Sequence, residues 1–131
     1  MSLHKIEIHP EAIIGEVGTM APSEFDSLPF GAIQLDADGV ILMYNKAEEK
    51  ISGRTRSEVV GKNFFSQVAP CTRVKRFFGA FQAGLERREL NEVFDFTFQF
   101  PGNPRDVRVR MIYSDTPQPC VWIFVTPLWN M

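Results

Sequence analysis

Asn91-Glu92-Val93-Phe94-Asp95-Phe96-Thr97-Phe98-Gln99-Phe100 places an aromatic ring at every second residue from Phe94 onward, with Asp, Thr and Gln between. A period of two is that of a β-strand, whose side chains alternate between faces. One face of this stretch is therefore apolar. Its phenylalanines read as the core face of a strand, and an aromatic cage for a flat ligand would draw on the same residues. Beyond it, Pro101-Gly102-Asn103-Pro104 reads as a turn. Val107, Val109 and Met111 then alternate with Arg108 and Arg110 as a returning strand, and a turn over residues 115–119 leads to an apolar strand over residues 120–125.

On the N-terminal side the period changes. Val74, Phe77, Phe78, Phe81 and Leu85 fall at helical spacing, which predicts one long helix over residues 72–88 with Lys75, Arg76, Arg87 and Arg88 largely on the other face. Shorter helices are predicted over residues 45–51, stopped near Gly53, and over residues 57–60, capped by Ser57 and ended by Gly61. Strands over residues 30–35 and 40–44 flank the acidic turn Asp36-Ala37-Asp38-Gly39. Residues 1–28 are broken by Pro10, Gly15, Gly18 and Pro22, with short helices predicted over residues 11–14 and 23–28. They read as an N-terminal helical cap on a core of residues 29–131. The order is that of an α+β domain: an antiparallel, mostly five-stranded sheet flanked by helices.

With 131 residues, 44% of them hydrophobic, the chain supports one domain with a substantial core. A net charge of -2 gives no global attraction to nucleic acid or to an anionic membrane. No apolar run approaches the ~20 residues a membrane helix needs. Cys71 and Cys120 form no metal or redox spacing and read as reduced thiols in a cytoplasmic protein.

The chemistry concentrates in two places. Cys71, in Val68-Ala69-Pro70-Cys71-Thr72, falls where the long helix is predicted to begin. Unpaired N–H groups and the helix dipole there favour thiolate, so Cys71 reads either as a reactive sulfur or as a small buried hydrophobe. Tyr44, Glu48 and Ser52 are spaced i, i+4, i+8. On a helix they line one face, either a solvated one or the wall of an internal polar pocket. A Cys–His hydrolase lacks its base, because His4 and His9 both lie in the cap. No metal-ligand motif or phosphate-binding glycine pattern is present.

Leu28-Pro29-Phe30-Gly31-Ala32-Ile33-Gln34-Leu35-Asp36, Tyr44-Asn45, Gly61-Lys62-Asn63-Phe64-Phe65 and Val68-Ala69-Pro70-Cys71-Thr72 resemble the photoactive yellow protein family, blue-light receptors built on a PAS fold. The similarity runs over about residues 28–126. It implies p-coumaric acid (4-hydroxycinnamic acid) held as a thioester on Cys71, not enzymatic turnover. Tyr44 and Glu48 would hydrogen-bond its phenolate oxygen, and Ser52 would bond Tyr44. Arg54 would shield the pocket from solvent, and Ile33, Phe64, Val68, Ala69, Pro70, Phe96 and Phe98 would line it. Light would isomerise the chromophore from trans to cis, Glu48 would give up its proton, and loosening of residues 1–28 would signal to a partner protein by contact. Phe96 and Phe100 stand where well-known members carry tyrosine, and Gly102 where they carry a methionine that speeds return to the dark state, which implies slow recovery. A chromophore-free PAS interaction or ligand-sensing domain is the alternative.

Overall fold

The computed structural model describes residues 20–100, 103–116 and 118–129. Among them, β1 (Gly31–Asp36), β2 (Ile41–Tyr44), β3 (Asn91–Phe100), β4 (Asn103–Ser114) and β5 (Cys120–Pro127) form one antiparallel sheet. Its spatial order is β2-β1-β5-β4-β3. The helices are α1 (Pro22–Asp26), α2 (Lys46–Ser52), α3 (Arg56–Val59) and α4 (Ala80–Arg87).

The apolar run of β5 explains its central place, because it is buried on both faces from Cys120 to Val125. Val121, Ile123 and Val125 join the main core with Ile33, Phe94, Phe98, Val107 and Val109. Cys120, Trp122 and Phe124 face the other way, into a smaller core closed by Phe25 of α1. Alternation in β3 follows the sequence expectation at Phe94 and Phe98, which are buried, and at Asp95 and Gln99, which are exposed, while Phe96 and Thr97 are both half-buried. Pro104, read as part of a turn, already lies in β4 opposite Gln99.

The β1–β2 turn is fixed locally. Asp36 Oδ1 accepts from the backbone N–H groups of Asp38 and Val40, both at 2.9 Å, and Gly39 supplies a φ of 88°. Gly53, at φ 76°, ends α2 as expected. Ser57 is not the cap of α3. Thr55 is, with the Glu58 carboxylate accepting from its backbone N–H at 3.1 Å and its hydroxyl at 2.9 Å.

The long helix over residues 72–88 is not one helix. The Thr72 hydroxyl and backbone N–H both donate to the Ala69 carbonyl, at 2.6 and 2.9 Å, closing a single tight turn over Pro70–Thr72. Val74 is then extended, at φ −125° and ψ 160°. A wide five-residue turn, Lys75–Gly79, leads into α4. Val74, placed on the buried helical face by its spacing, is consequently 46% exposed. Phe77 and Phe81 remain in the core. The helix expected over residues 11–14 and the two histidines lie outside the described residues, as does Gly102. α1 is the counterpart of the helix expected over residues 23–28.

Asn45 joins α1, β1 and α2. Its Oδ1 accepts from the backbone N–H groups of Ala32 (2.9 Å) and Glu48 (3.0 Å), and its Nδ2 donates to the carbonyls of Phe30 (3.0 Å) and Phe25 (3.3 Å). All of its polar valence is used inside the protein. Asn45→Ala leaves backbone groups unpaired in a dry interior and removes a helix cap. It is expected to cost about 3 kcal/mol, read by urea unfolding, with faster amide exchange at residues 25–30. A loss within about 0.5 kcal/mol, the scale of an ordinary surface change, would show that the four bonds are not a unit.

Candidate functional site

Tyr44 closes β2, Asn45 caps α2, Glu48 lies in its first turn and Ser52 is its last residue. Cap and helix thus turn the i, i+4, i+8 line inward rather than to solvent: Tyr44 and Glu48 are each only 2% exposed. Tyr44 Oη and Ser52 Oγ lie 2.5 Å apart, and Ser52 Oγ also accepts from the backbone N–H of Arg54 at 3.1 Å. The Arg54 guanidinium donates to the Val68 carbonyl at 2.8 Å. That bond ties the polar end of α2 to the segment carrying Cys71.

Glu48 Oε1 is buried and has no hydrogen-bond partner among the described residues. Burial pushes the Glu48 carboxyl up from 4.5 to about 8. Burial likewise raises Tyr44 above the usual phenol range, ionised Glu48 adding to the rise while Ser52 and Arg54 oppose it. At neutral pH both groups are uncharged and both carry an O–H that can donate.

Cys71 sits in the Pro70–Thr72 turn, half-buried against the core. It does not begin a helix, since α4 starts only at Ala80, so the dipole argument made from the sequence does not apply here. The sulfur instead accepts a backbone N–H, from Gln99 of edge strand β3, at 3.4 Å. Ile33, Phe64, Val68, Ala69 and Phe98 share one core cluster with Tyr44, and Phe96 packs at its margin. Pro70 is exposed. Phe77 organises the aromatic side, with ring centroids 5.3, 5.2 and 6.3 Å from Phe94, Phe96 and Phe98 and 5.7 Å from Phe64. An open cavity of about 630 Å³ lies elsewhere, between α1, β2 and α3; Tyr44 reaches its wall, and neither Glu48 nor Cys71 lines it.

Sequence reasoning missed Asn45, Gln99 and Gly31 as parts of this arrangement. Asn45 was the findable one, because asparagine immediately before a helix is a capping signal. The Gln99 contact uses a backbone group and leaves no trace in residue type. Gly31 packs against the Glu48 side chain, a proximity that depends on strand and helix meeting.

A family profile for the PAS fold matches residues 21–127. The chain is 39% identical over 123 residues to the photoactive yellow protein of Rhodothalassium salexigens, covering 94% of this chain and 98% of that protein. It is 41% identical to the photoactive yellow protein of Halochromatium salexigens, covering 88% and 92%. Among solved structures, the photoactive yellow protein domain of a sensor histidine kinase from Rhodospirillum centenum superposes with a TM-score of 0.81 at 44% identity, over 85% of this chain and 96% of that one. The α+β architecture is thus that of a PAS domain.

The buried acid has a signature in stability. Between pH 4.5 and about 8 the unfolded chain has lost the Glu48 proton and the folded chain has kept it. Stability therefore falls as pH rises through that window, by at most about 1.4 kcal/mol per pH unit from this one group. Urea unfolding of the chromophore-free protein at a series of pH values should show the decline, and Glu48→Gln should lack that component. Identical pH profiles for the two proteins would show that Glu48 ionises normally.

Proposed function

Because the chain belongs to the photoactive yellow protein family of PAS-fold proteins, we propose that it is a blue-light receptor carrying p-coumaric acid as a thioester on Cys71. Its class is that of the photoreceptors, not of enzymes. The observation carrying the finer reading is the unpartnered Glu48 Oε1, buried in the interior that also holds Tyr44. A buried acid lacking an acceptor fits a site completed by a phenolate.

When bound, the p-coumaroyl group supplies visible absorption and a double bond that light isomerises from trans to cis. The rest falls to the chain. Cys71 Sγ would hold the p-coumaroyl group as a thioester, the activating group of an activated p-coumarate leaving with the thiol proton. Tyr44 and Glu48 would donate O–H bonds to its phenolate oxygen, with Tyr44 held by Ser52. Arg54, bonded to Val68, covers the pocket with the Cys71 segment. Ile33, Phe64, Val68, Ala69, Phe96 and Phe98 would form the surrounding wall and keep water out, with the exposed Pro70 at its rim.

Glu48 holds the mobile proton. Its loss leaves a carboxylate in an apolar interior, a state unstable without solvent or a counter-charge. The strain reaches the N-terminal cap of residues 1–28 through Asn45, which bonds both the Glu48 N–H and the Phe25 carbonyl. Release of the cap from the core of residues 29–131 would expose a surface to a downstream signalling protein, by contact, in the cytoplasm.

The test is an absorption spectrum of the chain after adding activated p-coumarate, with Cys71→Ala in parallel. The expected result is a blue-absorbing band that bleaches in blue light, returns slowly in darkness and is absent from Cys71→Ala. A folded wild-type protein that gains no such band would be a chromophore-free PAS domain instead.

A further inference from the structure

Gly31 opens β1 opposite Val125 of β5. Glycine inside a strand weakens it, and where the backbone does not require one, its usual reason is the close approach of another group. The backbone of Gly31 does not require one, for the left-handed glycines are Gly39, Gly53 and Gly61. The approaching group is Glu48. A β-carbon on residue 31 would overlap Glu48 Oε1 and stand 3.2 Å from Cδ and 3.3 Å from Cβ.

We propose that Gly31 is a positioning residue for the site's acid: the side chain it lacks is the space that holds the Glu48 carboxyl. The inference rests on the reading of Glu48 as the mobile-proton donor. The spacing of strand and helix is not free to adjust, because Asn45 Oδ1 binds the Ala32 N–H of β1 and the Glu48 N–H of α2 together. A methyl group on residue 31 therefore cannot push α2 away without breaking those bonds. The carboxyl must turn instead, toward Tyr44 and Ser52 or toward solvent. In either place it gains a hydrogen-bond partner that Oε1 now lacks, and its ionised form is better tolerated.

The experiment compares wild type with Gly31→Ala, both free of chromophore. The Glu48 side-chain carboxyl is followed by ¹³C NMR across pH and assigned with Glu48→Gln. The Gly31→Ala carboxyl is expected to titrate at least one pH unit lower, a tenfold loss of proton affinity. Urea midpoints of Gly31→Ala, Glu48→Ala and the double variant form the second arm. The penalty of the added methyl should disappear once Glu48 is truncated, and a Gly31→Ala protein that does not fold should be rescued by Glu48→Ala. An unchanged Glu48 titration in a folded Gly31→Ala protein overturns the proposal, as does a penalty that persists in full beside Glu48→Ala. Failure of wild type to take up p-coumarate overturns the photoreceptor reading alone, since neither arm involves the chromophore.

Discussion

A carboxyl group held dry, with one oxygen unpartnered, is the constraint from which the rest of the site follows. Two effects compete at Glu48. It occupies the first turn of a helix, where the dipole favours a negative charge by about 0.3–1 kcal/mol. Full burial disfavours the same charge by as much as ~3–5 pKa units, several times more. Burial wins, and the group stays protonated to about pH 8. The helix also has little left to offer, because the Glu48 N–H is already taken by Asn45 Oδ1.

Such a group must be held by packing, since no ion pair holds it among the described residues. Asn45 fixes where α2 meets β1, and Asp26 adds a second tie, accepting from the Lys46 N–H at 3.1 Å and from the Arg56 guanidinium at 2.6 Å. α1, α2 and α3 are thereby joined around the start of the helix that carries the acid. At the other end of α2, Ser52 and Arg54 link Tyr44 to the Val68 carbonyl, a few residues from Cys71. Any change of charge at Glu48 therefore acts on a short helix anchored at both ends. The N-terminal anchor is the one shared with α1.

The sheet was legible in the sequence because each strand's environment writes its own period. β3 reads apolar at alternate residues because one of its faces is wet, whereas β5 reads as a continuous apolar run because it is covered on both. The helix after Cys71 was misread because periodicity reports which residues want burial, not whether the backbone between them stays helical. Phe77 and Phe81 kept their burial through a break that Thr72 and Val74 impose. Tyr44, Glu48 and Ser52 were found by spacing alone, yet spacing could not decide between a wet and a dry face. Asn45 decides it, by turning the chain so that the line points inward. The closeness of Gly31 to the acid has no local signature, because it is a property of how β1 and α2 meet and not of either element.

Two neutral O–H groups in one interior raise the question of which one gives up its proton. Their ordinary values already differ by more than five units, tyrosine at 10.0 and glutamate at 4.5. Burial raises both and so preserves their order. Tyr44 is in addition pushed up by a charge on Glu48, so ionising the acid makes the phenol a still weaker one. At ordinary pH the phenol therefore stays neutral in either state of Glu48. The Ser52 bond holds the Tyr44 hydroxyl in place. Glu48, with no partner for Oε1 among the described residues, is the stronger acid of the two. What sets Glu48 apart from Tyr44 is the hydrogen bond that Oε1 lacks among the described residues, not one that it makes.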